Sequence, residues 1–382
     1  MVVDQALSLL LVSLAAAVLP GVSRLLRLPP AVTEILFGVV LGESFLQLRF
    51  SGEWLEFLAH LGFLMLMFQS GMEIDFRIVS KIRAPQFFLH FLVFAGTLGL
   101  SMTFASFMGR GMFMALVLAT TSLGLVMPTL KEAGVSRTPY GQGILMAASL
   151  ADFLTLLAIT FYVLWGRYGL TWRFVSPLPL LAGFALLLWI GRTWAWWNPG
   201  KAERLLDARD SGEMGVRLSM ALLFLFVAVS EMVHLEPALG AFLGGCALSF
   251  VFREKEGLEH KLSALGFGFL IPIFFIHVGM RFDLNNLLET GKILFTAKLL
   301  VLSFVVKLLP TLLFALERLP WRSLLAMGVL LSSRLSLIVA AATIGVQEGF
   351  ITQVTKDSVV LLALMTCFLG PTLFKAMQGK KK

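Results

Sequence analysis

One carboxylate, Asp152, stands in the apolar run 142–165, which holds no other charge. A charge at the centre of a membrane span costs on the order of 3 kcal/mol. Such a residue faces a bundle interior, pairs with another charge, or lines a wet cavity. Two cations share its setting: Lys307 lies ten residues inside one apolar run, and Arg334 is central in another. A carboxyl at that depth can hold either a proton or a monovalent cation. Burial and nearby cations act on its two forms in opposite senses, and their balance permits exchange near physiological pH. The plainer alternative for Asp152 is a structural ion pair with Lys307 or Arg334, and pairing is the first expectation for those two cations.

Two further apolar runs gather hydroxyls and glycines at their middles. "LATTSLGLVMPTLKEAG" (118–134) places Thr120, Thr121, Ser122, Gly124 and Pro128 there, and "LLSSRLSLIVAAATIG" (330–345) places Ser332, Ser333, Arg334 and Ser336. Such clusters mark where a membrane helix unwinds and turns carbonyls and dipole ends toward an ion. Ser and Thr also bond harmlessly back to their own helix, so one cluster alone says little. Here the two fall at corresponding places in the two halves of the chain.

The elements that must position these residues follow from composition. Of 382 residues, 58% are hydrophobic and only 14% charged, against about 25% charged in soluble domains. Apolar windows of about 20 residues recur, each long enough to cross a bilayer as a helix. Thirteen spans are expected, near 4–19, 30–47, 54–70, 85–107, 111–130, 140–165, 174–195, 214–232, 237–252, 262–280, 291–317, 321–345 and 357–378. The first lacks a basic segment before it and reads as a retained helix. The fold expected is an all-α polytopic membrane protein built from two inverted six-helix repeats with crossed broken helices. The first repeat occupies 1–173, a linking helix and cytoplasmic linker 174–213, and the second repeat 214–382. The broken helices are the fifth and twelfth.

The net charge of +8 belongs to the loops rather than to a nucleic-acid partner. One set of alternate loops plus the C-terminus carries 21 of the 31 basic residues and the other set, which includes Lys356, carries 7. That asymmetry places the N-terminus outside and the C-terminus in the cytoplasm. Cys246 and Cys367 lie inside apolar runs and read as packing residues. Glu34 reads as a first-turn acid stabilised by its helix dipole. No second acid is expected at mid-depth in either broken region. No metal, nucleotide or catalytic-triad pattern appears, so neither an enzyme nor a cofactor is expected.

Seven segments, "VTEILFGVVLGESFL", "FQSGMEID", "TTSLGLVMPTLKEAG", "YGQGILMAASLADFLTLL", "EPALGAFLGGCALSF", "GFGFLIPIFFIHVGMRFDL" and "SSRLSLIVAAA", together resemble successive signatures of the Kef-type monovalent cation:proton antiporters. The resemblance covers roughly 30–345 in order and includes loops. It implies a sodium/proton antiporter fold in a prokaryotic inner membrane. It further implies a transport core of spans 4–6 and 11–13 and a dimerisation domain chiefly of spans 2–3 and 8–10. Asp152 matches the family's essential aspartate, Thr121 and Ser122 its unwound crossing, Lys307 a core lysine, and Arg334 an arginine motif that Ser333 and Ser336 flank. Two positions depart from the pattern: Ala151 stands where Asp, Asn or Gln is usual, and the arginine motif reads Arg334-Leu335-Ser336.

The expected function is therefore exchange of Na+ or K+ for H+ by alternating access, with one titratable carboxylate implying one-for-one, electroneutral exchange. A sodium-coupled organic-anion symporter of related fold and a gated cation channel remain the alternatives. Gly38 and Gly42 form a Gly-x-x-x-Gly pair suited to close helix approach, either within the chain or between copies. The resemblance favours their serving as a homodimer contact.

Overall fold

A computed structural model of the chain describes residues 2–3, 5–26, 28–42, 45–46, 49–50, 53–72, 84–136, 138–169, 182–183, 186, 189–190, 193, 197, 213–232, 237–251, 256–281 and 290–378. In chain order the helices are α1 (Gln5–Leu26), α2 (Pro30–Leu41), α3 (Glu53–Met72), α4 (Ala84–Phe107), α5 (Met112–Ala119), α6 (Leu123–Glu132), α7 (Pro139–Tyr168), α8 (Met214–Met232), α9 (Pro237–Val251) and α10 (Glu256–Leu265). They continue with α11 (Ile271–Met280), α12 (Thr290–Thr311), α13 (Trp321–Leu331), α14 (Ser336–Gln347) and α15 (Gln353–Gln378). Two strands of two residues, β1 (Val2–Val3) and β2 (Arg49–Phe50), pair in parallel. Otherwise the described residues are helical or connecting, as an all-α membrane protein requires.

Eight helices among the described residues are long and apolar enough to cross a membrane. The fifth expected span is two helices, α5 and α6, interrupted at 120–122, and the twelfth is α13 and α14, interrupted at 332–335. The expected seventh span, 174–195, and the linker behind it fall outside the described residues apart from scattered positions.

The chain divides into two compact units, each assembled from two separate stretches of sequence. Unit 1 is Met1–Phe76 with Val163–Phe282, and unit 2 is Arg77–Tyr162 with Asp283–Lys382.

Unit 1 is held by glycines at helix crossings. Lipid tails are as apolar as leucine, so helices in a bilayer associate by close backbone packing rather than by hydrophobic burial. A Cβ on Gly71 would strike the Phe242 carbonyl, and one on Gly245 the Phe68 carbonyl, which locks α3 to α9. A Cβ on Gly38 would strike the Ile276 carbonyl, and one on Gly279 the Ile35 carbonyl, which locks α2 to α11. Gly42 meets Met280 of α11 in the same way. Gly38 and Gly42, expected at a contact between copies, lie here against α11 of the same chain. Glu34 is corrected, being the fifth residue of α2 and buried. Between α10 and α11, Gly266–Leu270 forms a π-turn. There the Gln69 amide of α3 packs on Gly266 and donates to the Leu262 carbonyl at 2.7 Å.

In unit 2, α12 is central. It packs on α4, α5, α13 and α15, while α14 lies on α5 and α15 on α6. At one end, Tyr140 at the start of α7 donates to the Ser323 carbonyl of α13 at 2.7 Å and accepts from Gln378 of α15 at 3.3 Å. Tyr140→Phe removes both bonds from a half-buried site, and the expected loss is about 0.5–1.5 kcal/mol, read as a lowered Tm in detergent. An unchanged Tm would mean that these three helix ends hold together without the phenol.

Candidate functional site

The two interruptions leave helix ends inside unit 2, and at the first of them opposite charges meet opposite ends. At the first, α5 stops at Ala119, where the Thr120 hydroxyl turns back to the Val117 carbonyl at 2.8 Å. A local bond of this kind competes with the helix ladder. The chain restarts at Leu123, with the Ser122 carbonyl accepting the Leu125 and Val126 N–H groups.

Asp152, on α7 and 6% exposed, points its carboxylate at that restart: the Leu123 N–H donates to Oδ2 at 3.1 Å. A helix N-terminus carries partial positive charge and unpaired donors, so it suits an anion. Its partner end is matched by a cation. Lys307 of α12, 4% exposed, donates from Nζ to the Ala119 carbonyl at 2.6 Å and to Thr121 Oγ1 at 2.7 Å. The ammonium therefore serves the C-terminal end of α5 rather than forming a direct ion pair with Asp152.

One turn before Lys307 on the same helix, the Ser303 carbonyl accepts from Arg334 Nη2 at 3.0 Å. Arg334 lies in the second interruption and is fully buried, and its Nε and Nη1 have no hydrogen-bond partner. The preceding Ser333 hydroxyl is also without one, and it packs where a Cβ on Gly370 of α15 would sit. Ser336 begins α14; its side chain lies outside the description. Asp152, Thr121, Ser122, Lys307, Ser333 and Arg334 are thus gathered along α7, α12 and the two breaks, whereas Gly38 and Gly42 belong to unit 1.

Two carboxylate features escape a reading of the sequence. Asp152 Oδ2 is bonded but Oδ1, equally buried, has no partner. Asp357, read as the first residue of the last span, is the fifth of α15 and 1% exposed, taking a bond from Gln353 Nε2 at 3.2 Å. The neighbouring Lys356, assigned by its sequence to a loop, is also buried in α15. The helix starts four residues before the apolar run, so charge alone misplaces its end. A cavity of about 140 Å³ elsewhere in unit 2, lined by Arg110, Thr352, Thr355 and their neighbours, includes none of the Asp152 cluster.

Residues 10–377 match the sodium/hydrogen exchanger transmembrane family. The chain belongs to that family. Among its relatives, a putative Na+/H+ antiporter of Bacillus subtilis, YjbQ, is 33% identical over 379 residues, covering 94% of this chain. The chain spans 60% of that relative's length. An Na+/H+ antiporter of Enterococcus hirae is 26% identical over 382 residues, with 97% of each chain covered. The solved structure of the sodium proton antiporter MjNhaP1 from Methanocaldococcus jannaschii shares the fold with a TM-score of 0.73, at 13% identity and covering 98% of this chain and 97% of that one. The chain is a multi-pass membrane protein of this family.

Proposed function

We propose that the protein is a secondary antiporter that exchanges Na+ or K+ for H+, with Asp152 carrying either the cation or the proton. The observation that carries this reading is the half-satisfied carboxylate: Oδ2 is held by the N-terminus of α6 while Oδ1 is buried without a partner. A fixed oxygen keeps the group in place, and the other has a valence for a proton or a cation. Thr121 and Ser122 shape the unwound turn beside it. Lys307 and Arg334 offset the negative carbonyl ends and the carboxylate, so that the site is not left with a large net charge when its load changes.

Unit 2 supplies the transport core and unit 1 the scaffold for a homodimer; the distribution of helices between the units supports that division. The narrower placement among Kef-type antiporters, with the N-terminus outside, rests on the seven motifs and the loop charges. Because Ala151 cannot ionise and Lys307 is committed to two acceptors, the exchange is one proton for one monovalent cation.

The test is cation-driven proton flux from purified protein in liposomes, followed with a trapped pH dye. NaCl or KCl pulses are expected to move protons in the opposite direction without an organic substrate. The initial rate should stay level when a membrane potential is imposed. A rate that climbs steeply with voltage would overturn one-for-one exchange and point to Lys307 as a second proton carrier. Flux that requires an organic anion, or cation conductance without proton movement, would overturn the antiporter reading itself.

A further inference from the structure

Hydroxyls within the helices of unit 2 commonly turn back on their own chain. Thr97, Thr129 and Thr366 each donate to a carbonyl four residues earlier. On α7 itself, Ser149 donates to the Leu145 carbonyl and Thr160 to the Leu156 carbonyl, both at 2.9 Å. This is the ordinary fate of a hydroxyl that has no other task in a helix.

Thr155 of α7 departs from it. The residue is fully buried, and its Oγ1 has no hydrogen-bond partner, although the Ala151 carbonyl stands four residues earlier as Leu145 and Leu156 do for its neighbours. Three positions separate Thr155 from Asp152, which puts both on one face of the helix with Cβ atoms about 5–6 Å apart. Asp152 Oδ1 is also buried and unpartnered. On the same helix face, then, one anionic and one neutral oxygen are both buried and neither makes a hydrogen bond. An unpaired buried polar group is unfavourable, and hard oxygen atoms are what a hard cation takes as ligands.

We propose that Thr155 Oγ1 is a ligand of the transported cation, completing with Asp152 Oδ1 the site that Asp152 alone would leave open. The inference rests on the reading of Asp152 as the ion carrier. In the cation-loaded state both oxygens point lone pairs at the ion. When the carboxyl takes a proton the cation leaves both, and a rotation about the Thr155 Cα–Cβ bond returns the hydroxyl to the Ala151 carbonyl. The alternation needs no other group, and it makes Thr155 a determinant of cation affinity rather than of proton binding.

Thr155→Val keeps the shape and deletes the oxygen, while Thr155→Ser keeps the oxygen. In proteoliposomes, Thr155→Val should raise the KM for the driving cation by roughly 10–100-fold, the range seen when a metal site loses a supporting group. Its maximal rate at saturating salt should remain close to wild type. Thr155→Ser should keep a near-native KM. Without salt, the Tm of the Val variant should equal or exceed that of wild type, because a buried unpaired hydroxyl is removed, and the rise in Tm caused by NaCl or KCl should shrink. A native KM in Thr155→Val would overturn the proposal. So would a Val variant that melts early without salt, since that marks a packing role. Asp152→Asn separates the two layers: an inactive Asn variant beside a native KM in Thr155→Val overturns only the Thr155 assignment, whereas an active Asn variant removes the Asp152 reading beneath it.

Discussion

Asp152→Asn is expected to reduce cation-driven proton flux to the level of empty liposomes while leaving the protein folded. The substitution preserves the shape and the oxygen that accepts the Leu123 N–H. It deletes the charge, so the residue can neither hold a cation by Coulomb attraction nor carry an exchangeable proton on oxygen. Burying an amide is far cheaper than burying a carboxylate, and the Tm without salt should therefore be unchanged or higher. Added NaCl or KCl should no longer raise it, since a ligand stabilises only a state that binds it. Position 151 offers no rescue because alanine has no titratable group. Any residual exchange in the Asn variant would move the carrier elsewhere, and Asp357 is then the buried acid of unit 2 to replace next.

Gly38→Ala should be among the most damaging single-methyl changes in the chain. The added Cβ meets the Ile276 carbonyl and, at 2.9 Å, the Gly279 Cα, so the obstruction is backbone on both sides. Overpacking that side chains can absorb costs about 1–3 kcal/mol, and here no side chain can yield. The helices α2 and α11 must part, taking the reciprocal contact of Gly279 on Ile35 with them. Loss of folded protein on detergent extraction and a large drop in Tm are the expected results. Gly99→Ala, in the middle of α4 with nothing within 4 Å of the new methyl, is the control. It should gain about 0.5–1 kcal/mol, since glycine is poor within helices. A Gly38→Ala protein that stays fully folded but becomes monomeric would assign this face to assembly between copies.

The large features were legible because a bilayer leaves few solutions. A span must be a helix, a charge in mid-span must have a reason, and hydroxyl clusters in mid-span interrupt the ladder. Asp152, Lys307, Arg334 and both interruptions follow from those constraints alone. What escaped depends on neighbours. The pair Gly38 and Gly42 announces close approach but not the identity of the approaching helix, which is α11. Asp357 sits near a helix end, where sequence cannot separate a buried acid from a solvated one. Thr155 is one hydroxyl among many, and what sets it apart is a missing bond one helical turn from the half-satisfied Asp152. Gln69 of α3 donates to a carbonyl beside a π-turn, a feature with no local signature in the sequence.

The discontinuous make-up of the two units bears on how the protein is made. Gly71 waits for Phe242 and Gln69 for Leu262, each a partner about 170–190 residues later in the chain. At 5–20 residues per second, α3 resides in the membrane for roughly 10–40 s before the ribosome has even released the helices that will cover it. During that interval its glycine face and the Gln69 amide stand open to lipid or to an insertion chaperone. Unit 2 waits in the same way, with Asp152 threaded into the bilayer long before Lys307 and Arg334 follow. The buried charges of unit 2 thus come together late, and a stalled or truncated chain would leave a lone mid-span carboxyl as its mark for quality control.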